Sequence, residues 1–317
     1  MAQLPILTFA IPFYGTDVTA LLYLGETIKS VLEQPDGLWE AVIVDDASPL
    51  KNVADFVSGF NHPLIRYHRN DRNMGQAGNW NECVKQVRTP YYTILHADDM
   101  LMTNYAKTML AAFDRHPEAT IVFCNAKIIN EKGHETFSFV EFVKKMMFPL
   151  DREFTLEGDA GLAMLMRGDM IMCPTVCYRK DMTAGLEFSM EWQIIPDFYY
   201  WTLLLLNDRK LVGIPDTAFL YRRHHGSGTA SRRKALRIFE DEDRLYALVA
   251  AESVKKNWAT SAKVAEKRLM VKLRILHFAE LDIMGLRLTA AYEKIKLLMR
   301  IGKNNRKNRS LAHTATH

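Results

Sequence analysis

Short apolar runs alternate with segments of helical apolar spacing along the N-terminal third of the chain. The runs are rich in β-branched and aromatic residues and end in polar or turn-forming clusters, as buried strands do; they lie at 4–12, 39–44, 64–68 and 91–95. Apolar residues recur at helical spacing after three of these runs, at 18–32, 52–60 and 76–87. The alternation predicts an α/β fold with a mainly parallel sheet flanked by helices, in which the loops after successive strands gather on one edge.

Two adjacent carboxylates, Asp98 and Asp99, come directly after the apolar run at 91–95. In a parallel sheet the carboxyl end of a strand is where ligands bind. Proteins hold Mg²⁺ or Mn²⁺ with one or two carboxylates, together with water and substrate phosphates. The pair therefore indicates a divalent-cation site that serves a diphosphate. The alternative is that the pair caps a helix beginning near Met100.

Six short motifs follow one another between residues 4 and 229. They are Ala10-Ile11-Pro12-Phe13-Tyr14, Val44-Asp45-Asp46-Ala47-Ser48, Asn73-Met74-Gly75 followed by Asn79, His96-Ala97-Asp98-Asp99, Pro196-Asp197, and Tyr221-Arg222-Arg223-His224. In kind and order they resemble the motifs of the inverting nucleotide-sugar glycosyltransferases of family 2, which have the GT-A fold. The resemblance implies an enzyme that uses Mn²⁺ or Mg²⁺ to move a sugar from a UDP- or dTDP-sugar to an acceptor hydroxyl, in bacterial polysaccharide, glycolipid or glycoconjugate synthesis.

The resemblance also implies a donor site made by the loops after these strands. Asp46 corresponds to the carboxylate that accepts a hydrogen bond from the ring N–H of uracil or thymine, which suits a group that only accepts when ionised; alternatively it closes its own turn with Ser48. Tyr14 is placed to stack on the pyrimidine, and Asp98 to hold the ribose or the donor sugar. Arg72 either contacts the donor or is a solvated surface charge. The full set of implied donor-binding residues is Pro12, Phe13, Tyr14, Asp46, Arg72, Asn73, Gly75, His96, Asp98 and Arg222.

The metal site implied by the resemblance has Asp99 as its direct ligand, with His224 approaching the metal or the diphosphate. His225 is the alternative to His224. His96 departs from the family pattern, because many members have Asp there and so form an Asp-x-Asp motif. The departure leaves a second direct carboxylate ligand in doubt. A neutral imidazole there could hydrogen-bond the ribose, a phosphate oxygen or a backbone carbonyl instead.

Asp197 is the candidate general base. Inverting transfer is a single displacement in which the attacking hydroxyl must lose its proton, and a positioned carboxylate can take it. Asp197 precedes the apolar run 198–206, so it should lie at the N-terminal end of a buried helix, where the helix dipole stabilises a carboxylate. The alternative role is a plain helix N-cap. Pro196 stands where the family usually has an acidic residue, so one possible acceptor-binding carboxylate is missing.

Charge is distributed unevenly along the 317 residues, whose net charge is +4. From residue 221 onward there are 22 Lys and Arg against 9 Asp and Glu, whereas residues 1–220 have 19 against 28. The basic part has apolar residues at helical spacing from about 237 to 301, which predicts two or three amphipathic helices. The predicted organisation is a catalytic domain at 1–230, a basic helical extension at 231–302 and a disordered tail at 303–317. The extension is expected to contact an anionic membrane, the α/β domain or a second copy of the chain.

Composition narrows the other possibilities. The four cysteines lack Cys-x-x-Cys spacing, so neither a zinc site nor a disulfide framework is indicated. No apolar run reaches 18 residues and no signal sequence precedes the first strand, so we expect a cytoplasmic enzyme, with peripheral attachment to the inner face of the membrane as an option. No feature indicates a nucleic-acid partner.

The sequence leaves two alternative functions possible and does not identify the acceptor. One alternative is a catalytically inactive nucleotide-binding or scaffold protein of the same fold. The other is a nucleotidyltransferase, which should have a Gly-rich, basic loop after the first strand, unlike the loop at 12–15. The acceptor is expected to bind within 134–181, where aromatic and Met residues form either a hydrophobic platform or part of the core.

Overall fold

The protein is described by a computed structural model that covers residues 4–192, 194–224 and 236–314, without the side chains of residues 140 and 302–314. Its strands are β1 (Leu7–Phe13), β2 (Trp39–Asp45), β3 (Ile65–Arg69), β4 (Tyr91–Ile94), β5 (Met100–Leu101), β6 (Ala119–Ile129), β7 (Phe154–Leu156), β8 (Val176–Arg179) and β9 (Lys210–Arg222). Its helices are α1 (Val18–Leu32), α2 (Val53–Ser58), α3 (Gly75–Gln86), α4 (Tyr105–Arg115), α5 (Phe139–Met147), α6 (Gly158–Leu165), α7 (Lys180–Thr183), α8 (Pro196–Leu206), α9 (Leu236–Lys255), α10 (Ala259–Lys267), α11 (Leu269–Met284) and α12 (Leu288–Thr314).

The described strands form one mixed sheet in the order β3-β2-β1-β4-β8-β6-β9-β5, with β7 also paired to β9. The first four strands in this order are all parallel neighbours. Strand β8 then runs antiparallel to β4 and β6, while β6 and β9 are parallel. The prediction of a largely parallel α/β sheet flanked by helices, followed by a helical C-terminal region, is confirmed.

Parallel pairing places the ends of the central strands side by side. In the register of β1 and β2, Phe13 lies opposite Asp45, and in that of β1 and β4, Ala10 lies opposite Ile94. Strands β1 and β2 are buried almost throughout, as their continuous apolar sequences predict. The polar loops after β1, β2 and β4 therefore emerge on one edge of the sheet, which is where the predicted site residues lie.

The segment after Asp99 is a strand, so the helix-cap alternative for Asp98-Asp99 is wrong. Met100 and Leu101 form β5 and pair antiparallel with Leu220 and Phe219 of β9, and α4 begins only at Tyr105. This pairing brings the end of β9 alongside the two carboxylates. A two-residue strand has no periodicity of its own, so only the long-range pairing reveals it.

The C-terminal region has more helices than its periodicity predicts. The described residues between 236 and 314 form four helices, α9 to α12, rather than two or three. Arg268 adopts a left-handed backbone conformation (φ 49°) that separates α10 from α11, and apolar spacing does not reveal such a break. Helix α12 continues to Thr314, through most of the segment predicted to be a disordered tail.

The chain divides into two compact units. The first consists of the described residues within 1–156, 170–200 and 209–224, and the second of the described residues within 157–169, 201–208 and 225–317. Within the second unit, the carboxylate of Asp159 accepts hydrogen bonds from the backbone N–H groups of Thr260 and Ser261 at 2.9 and 2.7 Å, which ties α6 to α10. Across the described ranges, no helix combines the length and the apolar character needed to cross a bilayer.

Candidate functional site

Asp99 is a buried carboxylate with one oxygen left without a hydrogen bond. The residue is 1% exposed, and its Oδ1 accepts the backbone N–H of Arg222 at 2.8 Å. Among the described residues, Oδ2 has no hydrogen-bond partner. Burial raises the pKa of Asp99 well above its ordinary value, and the neighbouring charge of Asp98 raises it further. A cation at Oδ2 would offset both effects, so the geometry suits the predicted metal ligand.

Asp98 is held beside Asp99 by His224. The Nε2–H of His224 donates to Oδ2 of Asp98 at 2.9 Å. Burial alone would raise the pKa of Asp98, but this hydrogen bond and the nearby imidazoles lower it below the ordinary value, which keeps Asp98 ionised. The structure thus brings His224 to the site, where its Nε2 orients a carboxylate.

Arg222 clamps the carboxylate loop to the end of β9. Its side chain is buried, Nε donates to the backbone carbonyl of Asp98 at 2.8 Å, and Nη2 pairs with Glu26. Nη1 donates to the carbonyl oxygens of Asn130 and Glu131 at 3.3 and 3.1 Å. The guanidinium donors are directed at protein groups, and the donor-binding role of Arg222 stays a prediction. Arg222 therefore acts on the site through the position of Asp98 and Asp99.

His96 lies against both carboxylates. Its ring stacks on Trp80 with 5.5 Å between centroids and an interplanar angle of 22°, and its Nδ1 is 3.8 Å from Oδ2 of Asp99. Burial lowers the pKa of His96, although the charges of Asp98 and Asp197 raise it.

Ligand atoms of His96, Asp98 and Asp99 all lie within 4.8 Å of one another. Two carboxylates and a neutral imidazole form a set that divalent cations accept. The unsatisfied Oδ2 of Asp99 gives that set an oxygen ready to bind. These residues fit the predicted Mg²⁺ or Mn²⁺, and the three of them would hold it.

Asp197 stands in the first turn of α8, near this cluster. Its Oδ1 accepts the N–H of Phe198 at 2.9 Å. Burial raises the pKa of Asp197, an effect that this hydrogen bond and the neighbouring His96 partly oppose. A carboxylate whose pKa is raised toward the working pH accepts a proton more readily than a solvated carboxylate does, as a general base requires.

The two carboxylates at the end of β2 have separate tasks. Asp45 closes the turn, because its Oδ1 accepts the N–H of Ser48 at 2.8 Å and its Oδ2 accepts the hydroxyl of Tyr67 at 2.6 Å. Asp46 instead accepts the N–H groups of Met74 and Gly75 at 2.8 and 3.0 Å. The turn-closing role that was the alternative for Asp46 therefore belongs to Asp45.

Asp46 fixes the loop that carries other predicted donor contacts. Gly75 has φ +72°, and its N–H is also bonded by Oδ1 of Asn73 at 2.9 Å. Arg72 and Asn73 are exposed on this edge of the sheet. The amide of Asn70, which sequence reasoning missed, bridges Asp46 and Asn79 at 2.9 and 3.0 Å. Asn70 directly follows β3, and a polar residue at the end of a parallel strand is the sequence feature that could have indicated its role.

The loop after β1 presents one of its predicted residues to solvent. Tyr14 is 52% exposed, Pro12 is half-buried, and the side chain of Phe13 lies in the hydrophobic core. The carbonyl of Phe13 accepts the N–H of Asp46 at 2.8 Å. Tyr14 is thus free to stack on a ligand, whereas Phe13 positions Asp46 through its backbone.

Comparison with known protein families shows which family the chain belongs to. The profile of Glycosyl transferase family 2 matches residues 8–172, which is more than half of the chain. The chain belongs to glycosyltransferase family 2. The resemblance predicted from its motifs is confirmed, and the protein is a glycosyltransferase.

Individual relatives of this family 2 glycosyltransferase are distant. The uncharacterized glycosyltransferase MJ1057 of Methanocaldococcus jannaschii is 21% identical over 68% of this chain and 71% of its own length. The putative colanic acid biosynthesis glycosyl transferase WcaA of Escherichia coli is 30% identical, but the match covers only 35% of this chain and 39% of WcaA.

Solved structures agree on the fold. S. aureus TarS residues 1–349, in complex with UDP-GlcNAc, superposes with a TM-score of 0.66 at 16% identity, over 93% of this chain and 81% of that one. The mannosyltransferase PcManGT of Pyrobaculum calidifontis, in complex with GDP-Man and Mn²⁺, superposes with a TM-score of 0.60 at 14% identity. The match covers 95% of this chain and 87% of that one. At these identities the likeness shows a GT-A fold.

Two further residues that support this candidate site were not predicted from the sequence. Trp80 and Glu26 support His96 and Arg222 from α3 and α1, and neither belongs to the family motifs. Apolar and charged positions on a helix face give no signal of such a role, because the contact depends on tertiary packing. His225, the alternative to His224, lies outside the described residues.

Proposed function

We propose that this family 2 glycosyltransferase is a metal-dependent inverting enzyme that uses a UDP- or dTDP-sugar donor. The observation that carries the proposal is the buried Asp99, whose Oδ2 has no hydrogen-bond partner among the described residues, beside Asp98 and His96. A site that only stabilised the fold would gain nothing from an unsatisfied buried carboxylate oxygen.

In the proposed reaction, the loops after β1, β2 and β3 bind the donor. Asp46 keeps one lone pair of Oδ2 for the ring N–H of a pyrimidine, since its other acceptor positions serve Asn70, Met74 and Gly75. Tyr14 stacks on the base. Arg72 and Asn73 contact the sugar-phosphate from the exposed loop.

Asp197 is the proposed base. It takes the proton of the acceptor hydroxyl while that oxygen attacks the anomeric carbon and the bond to the diphosphate breaks. Attack from the face opposite the leaving group inverts the anomeric configuration. The cation, when bound, stabilises the negative charge that develops on the leaving diphosphate. His224 and Arg222 hold Asp98 and Asp99 in place for this step.

The solved neighbours support a nucleotide-sugar donor, and one of them has the UDP moiety proposed here. TarS was determined with UDP-GlcNAc and the mannosyltransferase with GDP-Man and Mn²⁺. The proposed products belong to bacterial polysaccharide, glycolipid or glycoconjugate synthesis, and the cytoplasmic location stays a prediction. Neither the inactive scaffold nor the nucleotidyltransferase gains support from any feature of the site.

Product analysis tests the reaction. Full-length protein is incubated with Mn²⁺, a panel of UDP- and dTDP-sugars and saccharide or lipid-linked acceptors, and the new linkage is assigned by NMR. A β-linked product from an α-linked donor is expected. Retention of the anomeric configuration would contradict single displacement, and transfer of a nucleotidyl group would contradict the reaction class.

The C-terminal helices supply a contact surface. Exposed apolar residues recur at intervals of mostly three or four residues within each of α11 and α12. We call the following set the C-terminal stripe: Leu269, Leu273, Leu276 and Ile283 on α11, and Leu288, Tyr292, Ile295 and Met299 on α12. This spacing is typical of a helix-on-helix seam. Charges of both signs, including Glu280, Glu293 and Lys296, lie near it on the same helices. We therefore propose that a second copy of the chain covers the stripe, in preference to an anionic membrane.

Replacing Leu273 and Ile295 together by Glu should convert a dimer into a monomer. Both side chains are exposed, at 49% and 38%, so the change adds charge to the seam without opening the core. Light scattering after gel filtration measures the mass. Val254→Glu, at a 62% exposed position on α9 outside the stripe, is the matched control. A wild-type protein that is monomeric at all concentrations, or that sediments with anionic vesicles at low salt, would contradict the dimer.

A further inference from the structure

Two polar atoms lie close together in the loop that follows β4. They are Nδ1 of His96 and Oδ2 of Asp99, 3.8 Å apart. This distance is too long for a hydrogen bond. Oδ2 of Asp99 and Nε2 of His96 are buried and have no hydrogen-bond partner in the described part of the chain. A buried polar atom without a partner costs free energy, so Oδ2 of Asp99 needs a group that binds it, and Nδ1 of His96 lies close enough to bind the same group.

One cation fits between these atoms. Ligand atoms of His96, Asp98 and Asp99 lie within 4.8 Å of one another. With metal–ligand bonds of about 2.0–2.2 Å, two ligands of one cation lie roughly 3 to 4.3 Å apart. The 3.8 Å separation falls inside this range.

The ring of His96 is held in the orientation that this requires. Trp80 stacks on it at 5.5 Å, and Phe188 packs edge-on against Trp80 at 5.1 Å with an angle of 80°. Trp80 is itself only 2% exposed. A ring fixed in this way loses little entropy when it binds a metal, so the ligand is preorganised.

The other imidazole of the site has a different task. Nε2 of His224 donates to Oδ2 of Asp98 at 2.9 Å, so in this arrangement His224 orients a carboxylate. The nitrogen that faces the unsatisfied oxygen belongs to His96. The two imidazoles are therefore distinguishable by experiment.

We infer that His96 is a direct nitrogen ligand of the cation and that it makes the site prefer Mn²⁺ over Mg²⁺. Imidazole suits transition metals, whereas Mg²⁺ favours a full set of oxygen ligands. The inference rests on the proposed metal dependence and adds the ligand set and the metal preference. His96→Asp would replace the nitrogen by oxygen and shift the preference toward Mg²⁺.

Pulsed EPR of bound Mn²⁺ tests the inference directly. Metal-free protein is loaded with Mn²⁺ and UDP, and nitrogen modulation in the spin-echo decay reports an imidazole on the metal. The wild type and His224→Gln should show the modulation, and His96→Asp should lose it. In competition titrations, His96→Asp should also lower the Mn²⁺-over-Mg²⁺ affinity ratio by a factor on the order of ten.

A matched control is available in the same chain. His62 also stacks on a tryptophan, Trp39, at 5.2 Å and 19°, so His62→Asp makes the same chemical change outside the site and should alter neither readout. Circular dichroism checks folding, and His96→Asn serves if His96→Asp does not fold. Nitrogen modulation that persists without His96 would overturn the inference while leaving the metal site intact. Failure of every variant and of the wild type to bind Mn²⁺ would overturn the metal dependence itself.

Discussion

Asp197→Asn should lower turnover by a factor on the order of 10² to 10⁴, the usual effect of removing a general base. Donor affinity should stay nearly unchanged, because Asp197 is proposed to act on the acceptor hydroxyl. Asn keeps the acceptor oxygen that Phe198 N–H bonds at 2.9 Å, so α8 should remain intact. Steady-state kinetics gives kcat and KM, and calorimetry gives the donor affinity.

Asp181→Asn is the matched control for this variant. Asp181 also stands in the first turn of a helix, and its Oδ1 also accepts the N–H of the next residue, Met182, at 2.9 Å. Asp181 is exposed, so the control removes a carboxylate of the same local geometry and should keep near-full activity. An Asp197→Asn enzyme that is nearly fully active would show that another group, such as His224, takes the proton.

Asp99→Asn should abolish the Mn²⁺- or Mg²⁺-dependent part of nucleoside diphosphate binding. A neutral amide is a weak ligand for hard cations, which prefer carboxylate oxygen. The fold should survive, because Asn has the same shape and can still accept the N–H of Arg222, bonded at 2.8 Å in the wild type. Calorimetry with UDP, in the presence of Mn²⁺ and then of a chelator, measures the effect.

The corresponding control is Asp71→Asn, an exposed carboxylate in the loop before α3. It should bind UDP and Mn²⁺ as the wild type does. If Asp99→Asn kept its metal-dependent affinity, the metal ligand would have to lie elsewhere.

The sequence predicted the fold well where local patterns are strong. The predicted helix at 18–32 coincides with α1, and the strands at 39–44 and 91–95 each agree with the structure to one residue. Continuous apolar runs and helical spacing are local properties, so they can be read without the tertiary structure. Strand β5 and the break at Arg268 were missed, because a long-range pairing and a left-handed backbone conformation leave no periodic signal.

The sequence predicted which carboxylates come together at the edge of the sheet, but it did not predict the residues that support them. The end of a parallel strand gathers ligand-binding residues, which explains why Asp46, Asp98 and Asp99 could be named in advance. The link from Arg222 to Asp99 spans 123 residues of sequence, and the stack of His96 on Trp80 joins a loop to a helix. Such contacts arise from the topology of the sheet, and no motif contains them.

The central claim is that a nucleoside diphosphate and a divalent cation bind together at the edge of the sheet. Calorimetry of the full-length chain with UDP, dTDP and GDP, each titrated with Mn²⁺ and again with EDTA, tests it most directly. We predict that UDP or dTDP binds with Mn²⁺ and loses its affinity with EDTA. Binding that is indifferent to EDTA, or no binding of any of the three nucleotides, would contradict the account.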